Sequence, residues 1–369
     1  MIYFDNAATG GHKPDSVIGA VTSALKFCAN PGRSGHRLSL ACLERVYVCR
    51  KLVCDFLGGY SYERTIFTKN CTEGLNIALL GVLKDGDEVV TTVAEHNSIL
   101  RPLEYLKGRG VKVKYAPLKD GQLDTDEIIK LVTASTRAVV VTLASNVTGI
   151  APDIKEIKAK LPQATLLICD GAQACGHIGV NMEESGIDIL ATAGHKGLLG
   201  IQGGSALLFS ERVNPDPVLF GGTGSESYKL EMPGFYPDRL ESGTLSYPAI
   251  VALGEGVMYL REHLDTHIKK LTAMTEYLIE ELSQIEGVKL YSKPNPYGIA
   301  AFDMASMQSE MAAFKLSDEY SICVRGGLHC APLMHKALKS EGLIRASLSP
   351  FNTQSECELF IEAIKKLAT

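Results

Sequence analysis

Tryptophan is absent from the 369-residue sequence, and aromatic residues make up only 7% of it. So few aromatic side chains argue against a platform on which nucleic-acid bases stack. An excess of basic residues is also missing, because the formal net charge is −5 at pH 7. Proteins that coat nucleic acid carry a basic surface, so we expect no nucleic-acid partner.

Long apolar runs are missing as well. The longest, such as residues 138–144, are far shorter than the roughly 20 residues that a membrane-spanning helix needs. The first residues, Met-Ile-Tyr-Phe-Asp-Asn, lack the basic stretch and apolar run of a secretory signal peptide. We therefore expect a cytoplasmic protein without a membrane partner.

Paired cysteine motifs are the third absence. The chain has ten cysteines but no C-x-x-C pair, and thiols stay reduced in the cytosol. The sequence therefore predicts neither a disulfide framework nor a metal site. Most of these cysteines are interpreted as small apolar core residues, for example Cys42 and Cys49 on one helical segment and Cys169 in a buried strand.

Seven short runs rich in β-branched residues alternate with helical patterns in the first part of the chain. The candidate strands span residues 65–68, 88–93, 111–116, 138–143, 165–169, 187–191 and 205–209. Helical spacing is found at residues 73–83, 99–107, 125–132 and 154–161. This alternation needs crossover connections and predicts an α/β fold, with a mainly parallel sheet covered by helices on both faces. Ligands of such sheets bind beyond the carboxyl ends of the strands.

The pattern changes after about residue 246. Two long helices are predicted at residues 247–263 and 265–285. Short strands at 288–291, 298–303, 322–325 and 344–348 and a closing helix at 354–367 follow. We predict a large domain over residues 13–262 and a smaller α+β domain over residues 263–369, which the N-terminal residues 1–12 join.

Two residues of opposite charge follow neighbouring candidate strands. Asp170 comes directly after residues 165–169, and Lys196 lies in Ala-Gly-His-Lys-Gly shortly after residues 187–191. An amine and a carboxylate at one sheet edge suit pyridoxal phosphate, because the lysine forms a Schiff base with its aldehyde and the carboxylate keeps its ring nitrogen protonated. Taken alone, the pair is equally compatible with a capping aspartate and a surface lysine.

Three more polar residues follow candidate strands. Gln173 could reach the phenolic oxygen of the cofactor, and the ring of His96 could lie on the cofactor's face. Thr72 begins a helix, where backbone N–H groups form a phosphate site. A structural histidine or a plain helix cap explains each residue singly, but together they favour a cofactor site.

A second group of residues lies near the C-terminus, in Arg-Gly-Gly-Leu-His-Cys-Ala-Pro and Arg-Ala-Ser-Leu. The glycines and the proline predict that Cys330 is a loop residue, where exposure favours reactivity. Arg325 and His329 are groups that could favour its thiolate, and Arg345 could grip a substrate carboxylate. A buried inert cysteine and a surface arginine are the alternatives.

In their order along the chain, these residues resemble the class V aminotransferase family of fold-type I pyridoxal phosphate enzymes, and within it the cysteine desulfurases and selenocysteine lyases. The matching segments extend from Tyr-Phe-Asp-Asn-Ala-Ala at residue 3 to Ser-Pro-Phe-Asn-Thr at residue 349. They include Cys-Thr-Glu-Gly-Leu-Asn, Glu-His-Asn-Ser, Ser-Asn-Val-Thr-Gly, Asp-Gly-Ala-Gln, Gly-His-Lys and Glu-Ser-Gly-Thr. The short spacing of Arg325, Cys330 and Arg345 is similar to that of the group II, Suf-type desulfurases. The resemblance implies a seven-stranded sheet in the large domain.

The resemblance also implies a pyridoxal phosphate site. Its cofactor-binding residues would be Thr72, His96, Asn146, Asp170, Gln173, His195, Lys196 and Thr244. Lys196 would hold the cofactor covalently, and Asp170 would pair with its ring nitrogen. His195 would join Thr72 at the phosphate. Thr244 would reach the phosphate in a neighbouring subunit, which implies a homodimer.

The reaction implied by the resemblance uses Lys196, Cys330 and His96 as catalytic residues. Asn146 and Arg345 would hold the carboxylate of the substrate cysteine, and Lys196 would move its α-proton. Cys330 would attack the substrate sulfur, which leaves a persulfide on the enzyme and releases alanine. A sulfur-acceptor protein would then take this sulfur for the synthesis of iron–sulfur or other thio-cofactors.

Other activities stay open on the sequence. A selenocysteine lyase would share the site but depend less on Cys330, because selenide leaves more readily than sulfide. A class V aminotransferase would leave that cysteine unexplained. A non-catalytic binding protein disagrees with the presence of both Lys196 and Asp170.

Two departures from the family pattern concern the phosphate site. Ala193 and Cys71 stand where many relatives carry hydroxyl groups. Phosphate binding would then be weaker, or Thr192 and backbone N–H groups would compensate.

Overall fold

The structure, a computed structural model, describes residues 1–368. Its strands are β1 (Ile2–Tyr3), β2 (Thr65–Thr68), β3 (Glu88–Thr92), β4 (Lys112–Ala116), β5 (Thr136–Thr142), β6 (Leu166–Asp170), β7 (Ile189–Ala191), β8 (Ser205–Phe209), β9 (Val288–Leu290), β10 (Ile299–Met304), β11 (Ile322–Cys323) and β12 (Ile344–Ser347). Its helices are α1 (Asp15–Lys26), α2 (Arg37–Phe56), α3 (Cys71–Val82), α4 (Asn97–Lys107), α5 (Thr125–Ile129), α6 (Ile154–Lys160), α7 (Tyr247–Ser283), α8 (Ser309–Tyr320), α9 (Pro332–Leu338) and α10 (Gln354–Ala368).

A seven-stranded sheet forms the centre of the molecule, in the order β2-β8-β7-β6-β5-β3-β4. Strand β8 runs antiparallel to both of its neighbours, and the other pairings within the sheet are parallel. The prediction of an α/β fold with a mainly parallel seven-stranded sheet is therefore confirmed. Since β3, β5, β6 and β7 run in the same direction, the loops that follow them meet at one edge.

Helices cover both faces of this sheet. One face packs against α2, α5, α6 and the first half of α7, and the other packs against α3 and α4. Strands β6 and β8 are buried at every position, which explains their nearly continuous apolar sequence. None of the helices within residues 1–368 combines the length and the apolarity needed to cross a membrane.

A smaller antiparallel sheet, in the order β12-β10-β9, lies in the C-terminal part of the chain. The N-terminal strand β1 pairs with β11, and Phe4 is buried in the same core as α8, α10 and the second half of α7. The boundaries of the two domains remain a prediction. Residue 369, the end of the predicted small domain, lies outside the described residues.

One long helix, α7, replaces the two helices predicted at residues 247–263 and 265–285. Leu253 of this helix packs in the core of the large sheet and Leu278 packs in the core of the small sheet. Leu264, at the predicted break, packs against the first of these cores, so the apolar face continues. No proline or glycine occurs between residues 257 and 283, and the helix therefore has no physical reason to end at residue 264.

Other differences between predicted and observed elements are small. Helix α5 ends at residue 129, three residues before the predicted end, and most other boundaries shift by one or two residues. Helices α1, α8 and α9 were not predicted. Helix α9 is only seven residues long, which is too short for a clear helical period.

Candidate active site

A cavity of about 240 Å³ opens at the carboxyl edge of the large sheet. It is lined by segments that follow β2, β3, β5, β6 and β7, together with Ala7 and Ala8 of the N-terminal segment and the side chains of Arg325 and Arg345. Eight of the predicted site residues line it: Thr72, His96, Asn146, Asp170, Gln173, His195, Lys196 and Arg345. Their chemical roles stay predictions, but the edge of the sheet does bring them together.

Asp170, the last residue of β6, carries the buried carboxylate of this cavity. Its Oδ1 accepts hydrogen bonds from the backbone N–H of Ala172, at 2.8 Å, and from the thiol of Cys71, at 3.3 Å. The hydroxyl of Ser98 lies 3.4 Å from Oδ2. Two donors to Oδ1 hold the carboxylate in position, so it can accept one more hydrogen bond from a protonated ring nitrogen.

Lys196 follows β7 and lines the same cavity. Burial lowers the pKa of its amine, while the nearby Asp170 and Cys71 act in the opposite direction. A lowered pKa increases the fraction of neutral amine, which is the nucleophilic form that reacts with an aldehyde. The position therefore suits a lysine that forms a Schiff base.

His96 caps the N-terminus of α4, and its Nδ1 accepts the backbone N–H of Ser98 at 3.1 Å. Burial lowers the pKa of its imidazole to about 4. The ring is therefore neutral near pH 7, which suits contact with the flat face of an aromatic ligand better than a charged ring does.

The predicted phosphate end of the cavity contains His195 and Thr72. The Nδ1 of His195 lies 3.0 Å from Thr9 Oγ1, and burial lowers the pKa of its imidazole to about 4. Thr72 is the second residue of α3, and the first N–H groups of a helix have no partner within it. These N–H groups and the positive end of the helix dipole favour an anion here.

The two departures at the phosphate end have different outcomes. The thiol of Cys71 points to Asp170 rather than to the phosphate end, and burial with the Asp170 charge raises its pKa well above the usual value. Thr192 is fully buried and bonds to Ala206 through its hydroxyl, at 3.0 Å. Of the alternatives for the phosphate site, compensation by Thr192 is therefore excluded, because its hydroxyl pairs with Ala206 within the sheet.

Arg345 enters the cavity from β12 of the small sheet and is 1% exposed. Its guanidinium donates to Asp5 Oδ1 at 2.8 Å and to the backbone oxygen of Asn146 at 2.9 Å. The amide of Asn146 donates to the backbone oxygen of His329 at 2.7 Å. Arg345 Nε and Asn146 Oδ1 are buried without a hydrogen-bond partner among residues 1–368. Such unpaired buried atoms are costly, so they indicate a place for a polar ligand.

Cys330 is an exposed loop residue, as predicted. It lies outside the cavity wall and lines a neighbouring cavity of about 460 Å³, to which His96, Ser98 and Thr72 also belong. Its carbonyl oxygen accepts the N–H of Asn97 at 2.8 Å. His96 therefore stands between the cofactor-sized cavity and the thiol.

Of the two groups predicted to favour a thiolate at Cys330, Arg325 lies close to the sulfur and His329 does not carry a charge. Arg325 Nη2 lies 3.8 Å from the Cys330 sulfur, so this arginine can stabilise a thiolate. His329 is buried and faces Leu343, whose carbonyl oxygen lies 3.0 Å from Nε2. Because burial lowers the pKa of His329 to about 2, its ring is neutral. The prediction that His329 supplies positive charge is wrong.

Thr244 is exposed and does not line the cavity of its own chain among the described residues. The neighbouring Gly243 donates its N–H to Gly222 at 2.9 Å, and Arg33 bonds to the carbonyl oxygens of both glycines. This anchoring keeps Thr244 on an outer surface, so its predicted contact with a cofactor needs a second subunit.

Three hydrogen-bond contacts at the cavity escaped the sequence analysis, which considered Cys71 only at the phosphate. Ala7 accepts a hydrogen bond from the Gln173 amide at 2.9 Å, Ser98 contacts both His96 and Asp170, and Cys71 bonds to Asp170. Ser98 and Cys71 lie in segments that resemble family motifs, which is a signal that could have found them. Ala7 follows no strand of the large sheet, so the strand-end rule could not find it.

Comparisons with known proteins fit this geometry. The family model of the class V aminotransferases matches residues 2–360. A probable cysteine desulfurase of Methanothermobacter thermautotrophicus is 35% identical, over 100% of this chain and 94% of that relative. The apo structure of a cysteine desulfurase from Thermococcus onnurineus NA1 is similar at a TM-score of 0.90 and 32% identity, over 100% of this chain and 94% of that one. The structure of the cysteine desulfurase CsdA (S-sulfonic acid) from Escherichia coli is similar at a TM-score of 0.88 and 26% identity, over 99% and 94% of the two chains.

Proposed function

This chain belongs to the class V aminotransferase family, and from that membership we propose that it is a pyridoxal phosphate-dependent cysteine desulfurase. The reaction converts L-cysteine to L-alanine and leaves the sulfur on Cys330 as a persulfide. Relatives named cysteine desulfurase that match over the whole chain support the proposal. The single observation that carries it is the exposed thiol of Cys330, separated from the cavity by His96.

The donor set of the cavity fits pyridoxal phosphate. Asp170 offers an anionic acceptor to a ring N–H, and Lys196 offers an amine whose pKa is lowered by burial. The residues that would hold the cofactor are Thr72, His96, Asn146, Asp170, Gln173, His195 and Lys196 of one subunit and Thr244 of a second copy. When bound, the cofactor supplies an electron sink for the charge that develops on the substrate α-carbon.

Binding of the substrate uses the unpaired atoms beside β12. Arg345 Nε donates to the carboxylate of cysteine, and this contact removes the cost of a buried donor without a partner. The ion pair with Asp5 and the bond to the Asn146 carbonyl oxygen fix the plane of the guanidinium before the substrate arrives. Lys196, which lines the same cavity, accepts the α-proton with its amine in the neutral form.

The sulfur step takes place between the substrate and Cys330. The Cys330 thiolate forms a bond to the substrate sulfur while the bond from that sulfur to the substrate Cβ breaks. The electron pair of the broken bond goes to Cβ, which takes up a proton and becomes the methyl group of alanine, and Lys196 returns the proton to the α-carbon. Arg325, at 3.8 Å from the sulfur, stabilises the attacking thiolate.

Incubation of the cofactor-loaded protein with cysteine tests the proposal. We expect one extra sulfur atom on the peptide that contains Cys330, measured by mass spectrometry, and an equal amount of alanine. The Cys330→Ser variant should keep the visible absorbance of the bound cofactor and lose the persulfide.

The matched control is Cys28→Ser, because Cys28 is also an exposed cysteine. This variant should form the persulfide at the normal rate. Persulfide on another cysteine, or an unchanged yield of sulfide and alanine from Cys330→Ser, contradicts the proposed role. Formation of the keto acid instead of alanine identifies an aminotransferase.

The active form that we propose is a homodimer. The apolar side chains of Phe27, Phe220 and Leu230 are 71%, 76% and 101% exposed in the single chain, and exposed patches of this kind are typical of interfaces. Arg33 connects the segment at Gly222 to the one that carries Thr244. Sedimentation of the protein should give twice the mass of the chain, and Leu230→Glu should reduce it to the single mass.

Delivery of the sulfur is the last part of the proposal. An exposed persulfide on Cys330 can react with the thiol of a sulfur-acceptor protein, and a cytoplasmic location keeps such thiols reduced. All ten cysteines are free thiols in the structure, which supports a reducing compartment.

A further inference from the structure

Ser98 is a buried serine that contacts two of the proposed cofactor-binding residues. Its Oγ lies 2.8 Å from His96 Nδ1 and 3.4 Å from Asp170 Oδ2. It is the second residue of α4, and its backbone N–H donates to the same Nδ1 at 3.1 Å. The hydroxyl therefore stands between an imidazole that follows β3 and a carboxylate that ends β6.

The hydrogen positions follow from these distances. A nitrogen that accepts a backbone N–H carries no hydrogen of its own, so the neutral ring of His96 has its hydrogen on Nε2. The Ser98 hydroxyl has one hydrogen, which it can give either to Nδ1 or to Asp170 Oδ2. The shorter distance favours a hydrogen bond to Nδ1. Rotation of the hydroxyl about the Cβ–Oγ bond would direct its hydrogen to Asp170 Oδ2 instead.

The charged groups around His96 determine whether its ring can become protonated, and the Ser98 hydroxyl would turn to Asp170 if it did. Lys196, Arg325 and Arg345 face the ring and oppose a positive charge on it, and Asp170 favours one. If Nδ1 takes up a proton, it becomes a donor. It can then no longer accept the backbone N–H of Ser98, and it needs an acceptor of its own. The hydroxyl of Ser98 is such an acceptor, and it can then donate its own hydrogen to Asp170 Oδ2.

We propose that Ser98 is a positioning residue that fixes His96 in its Nε2–H form through its backbone N–H and its hydroxyl, and that the same hydroxyl can turn to Asp170 Oδ2. The proposal rests on the proposed function, because His96 and Asp170 are proposed cofactor-binding residues. Ser98 itself is assigned no contact with the substrate or with Lys196. It also explains why a buried hydroxyl faces this cavity. Loss of the hydroxyl removes one contact from each of two residues that hold the cofactor.

Nitrogen NMR of the protein without cofactor or cysteine tests the resting arrangement. With ¹⁵N-labelled histidine at pH 7.5, His96 should show one tautomer, with the hydrogen on Nε2 and a hydrogen-bonded Nδ1. The His96→Gln variant assigns its signal among the nine histidines. A hydrogen on Nδ1, or an even mixture of tautomers, overturns the proposal without any change to Ser98.

Variants of Ser98 test the contribution of the hydroxyl. Ser98→Ala should move the Nδ1 signal of His96 and lower kcat for persulfide formation about fivefold, since one hydrogen bond is worth about 1 kcal/mol, with KM changed less than twofold. Ser98→Thr keeps the hydroxyl and should restore both values. Unchanged values in Ser98→Ala, or failure of a folded Ser98→Thr to restore them, contradict the proposal.

Cys71→Ala is the matched control, because it removes a donor from Asp170 and makes no contact with His96. It should leave the His96 signal in place, whereas Ser98→Ala moves it. If wild-type protein forms no persulfide, the proposed function fails but the NMR result still decides the role of Ser98. The two failures are therefore distinguishable.

Discussion

The cofactor-sized cavity and the Cys330 loop lie on either side of His96, but different parts of the fold hold them. The cavity is made of buried groups at the ends of parallel strands, and burial lowers the pKa values of Lys196 and His96. Cys330 is exposed on its loop, where His329 is buried, and both residues have a left-handed backbone, with φ of 57° and 49°. Burial thus shifts the pKa values of groups in the cavity, whereas the backbone conformation and hydrogen bonds of the loop position the Cys330 thiol.

Arg345 and Asn146 connect the two regions. Arg345 reaches the cavity from the small sheet, and Asn146 follows β5 of the large sheet and donates to the backbone oxygen of the loop. A substitution in the cavity can therefore change the position of the Cys330 loop, and a change in the loop can alter the cavity. The following experiments separate the two contributions.

Replacement of Lys196 should have the largest effect. Lys196→Ala removes the amine that we propose binds the cofactor and moves the α-proton, so we expect a loss of alanine formation of about 10³-fold or more. The visible absorbance of the cofactor should disappear on dialysis. Lys158→Ala, at a lysine paired with Asp188 on another part of the sheet, is the control and should keep both properties. A dialysis-stable cofactor in Lys196→Ala rules out the assigned attachment.

Glu95 tests how strongly burial shifts the pKa of an ionisable group beside the cavity. It is fully buried next to His96, and burial raises the pKa of its carboxyl to about 8 from 4.5. The folded state therefore favours the protonated form. The associated stability is fully present below pH 4.5 and is lost as the pH rises to 8, at about 1.4 kcal/mol for each pH unit within that window.

The Glu95→Gln variant cannot ionise and should lose this dependence. Urea unfolding at pH 5, 6.5 and 8 should show a fall in the free energy of unfolding for the wild type, and a fall smaller by about 3 kcal/mol for the variant. Glu104→Gln, at an exposed position of α4, should follow the wild type. Parallel curves for wild type and Glu95→Gln contradict a protonated Glu95.

Arg345→Lys examines the connection between the two regions. A lysine cannot keep the fork geometry that contacts Asp5, the Asn146 carbonyl oxygen and the substrate carboxylate together. We expect a loss in kcat/KM equivalent to about 2 kcal/mol, mostly as a higher KM. The exposed Arg37→Lys serves as the control. A fall in kcat at constant KM shows that Arg345 does not act on substrate binding.

Asn146→Ala should give the smallest change in local structure, at the Cys330 loop, besides the loss of the cavity contacts proposed for this residue. The variant loses the 2.7 Å bond to the backbone oxygen of His329 and keeps the backbone contact with Arg345. Hydrogen exchange of residues 326–331 should become about fivefold faster, since one hydrogen bond is lost. Asn181→Ala, at a cap remote from the loop, should leave this exchange unchanged. Equal exchange rates in Asn146→Ala and wild type show that other contacts hold the loop.

Much of the cavity could be predicted from local sequence. Asp170, His96 and Lys196 each follow a strand whose apolar, β-branched residues identify it, and strands of one direction end at the same edge. That rule needs no knowledge of which strands are neighbours. Local sequence also singled out the loop cysteine and Arg345, and the resemblance to a family assigned these distant residues to the same site.

The errors came from residues whose environment depends on distant segments. His329 looked like a source of positive charge beside Cys330, but the left-handed backbone turns its ring toward Leu343. Thr192 offered a hydroxyl near the phosphate, but pairing with β8 uses it. The break predicted within α7 failed because residues of two cores continue the same helix face.

The sequence by itself determined which chemical groups are available at the sheet edge, because strand ends and helix starts are local patterns. Only the tertiary structure decided which of these groups meet. Ser98 between His96 and Asp170, Asp5 on Arg345, and Ala7 on Gln173 join segments that are far apart in the chain. The physical reason is that hydrogen bonds and charge shifts act over a few ångströms, and packing alone brings such segments that close.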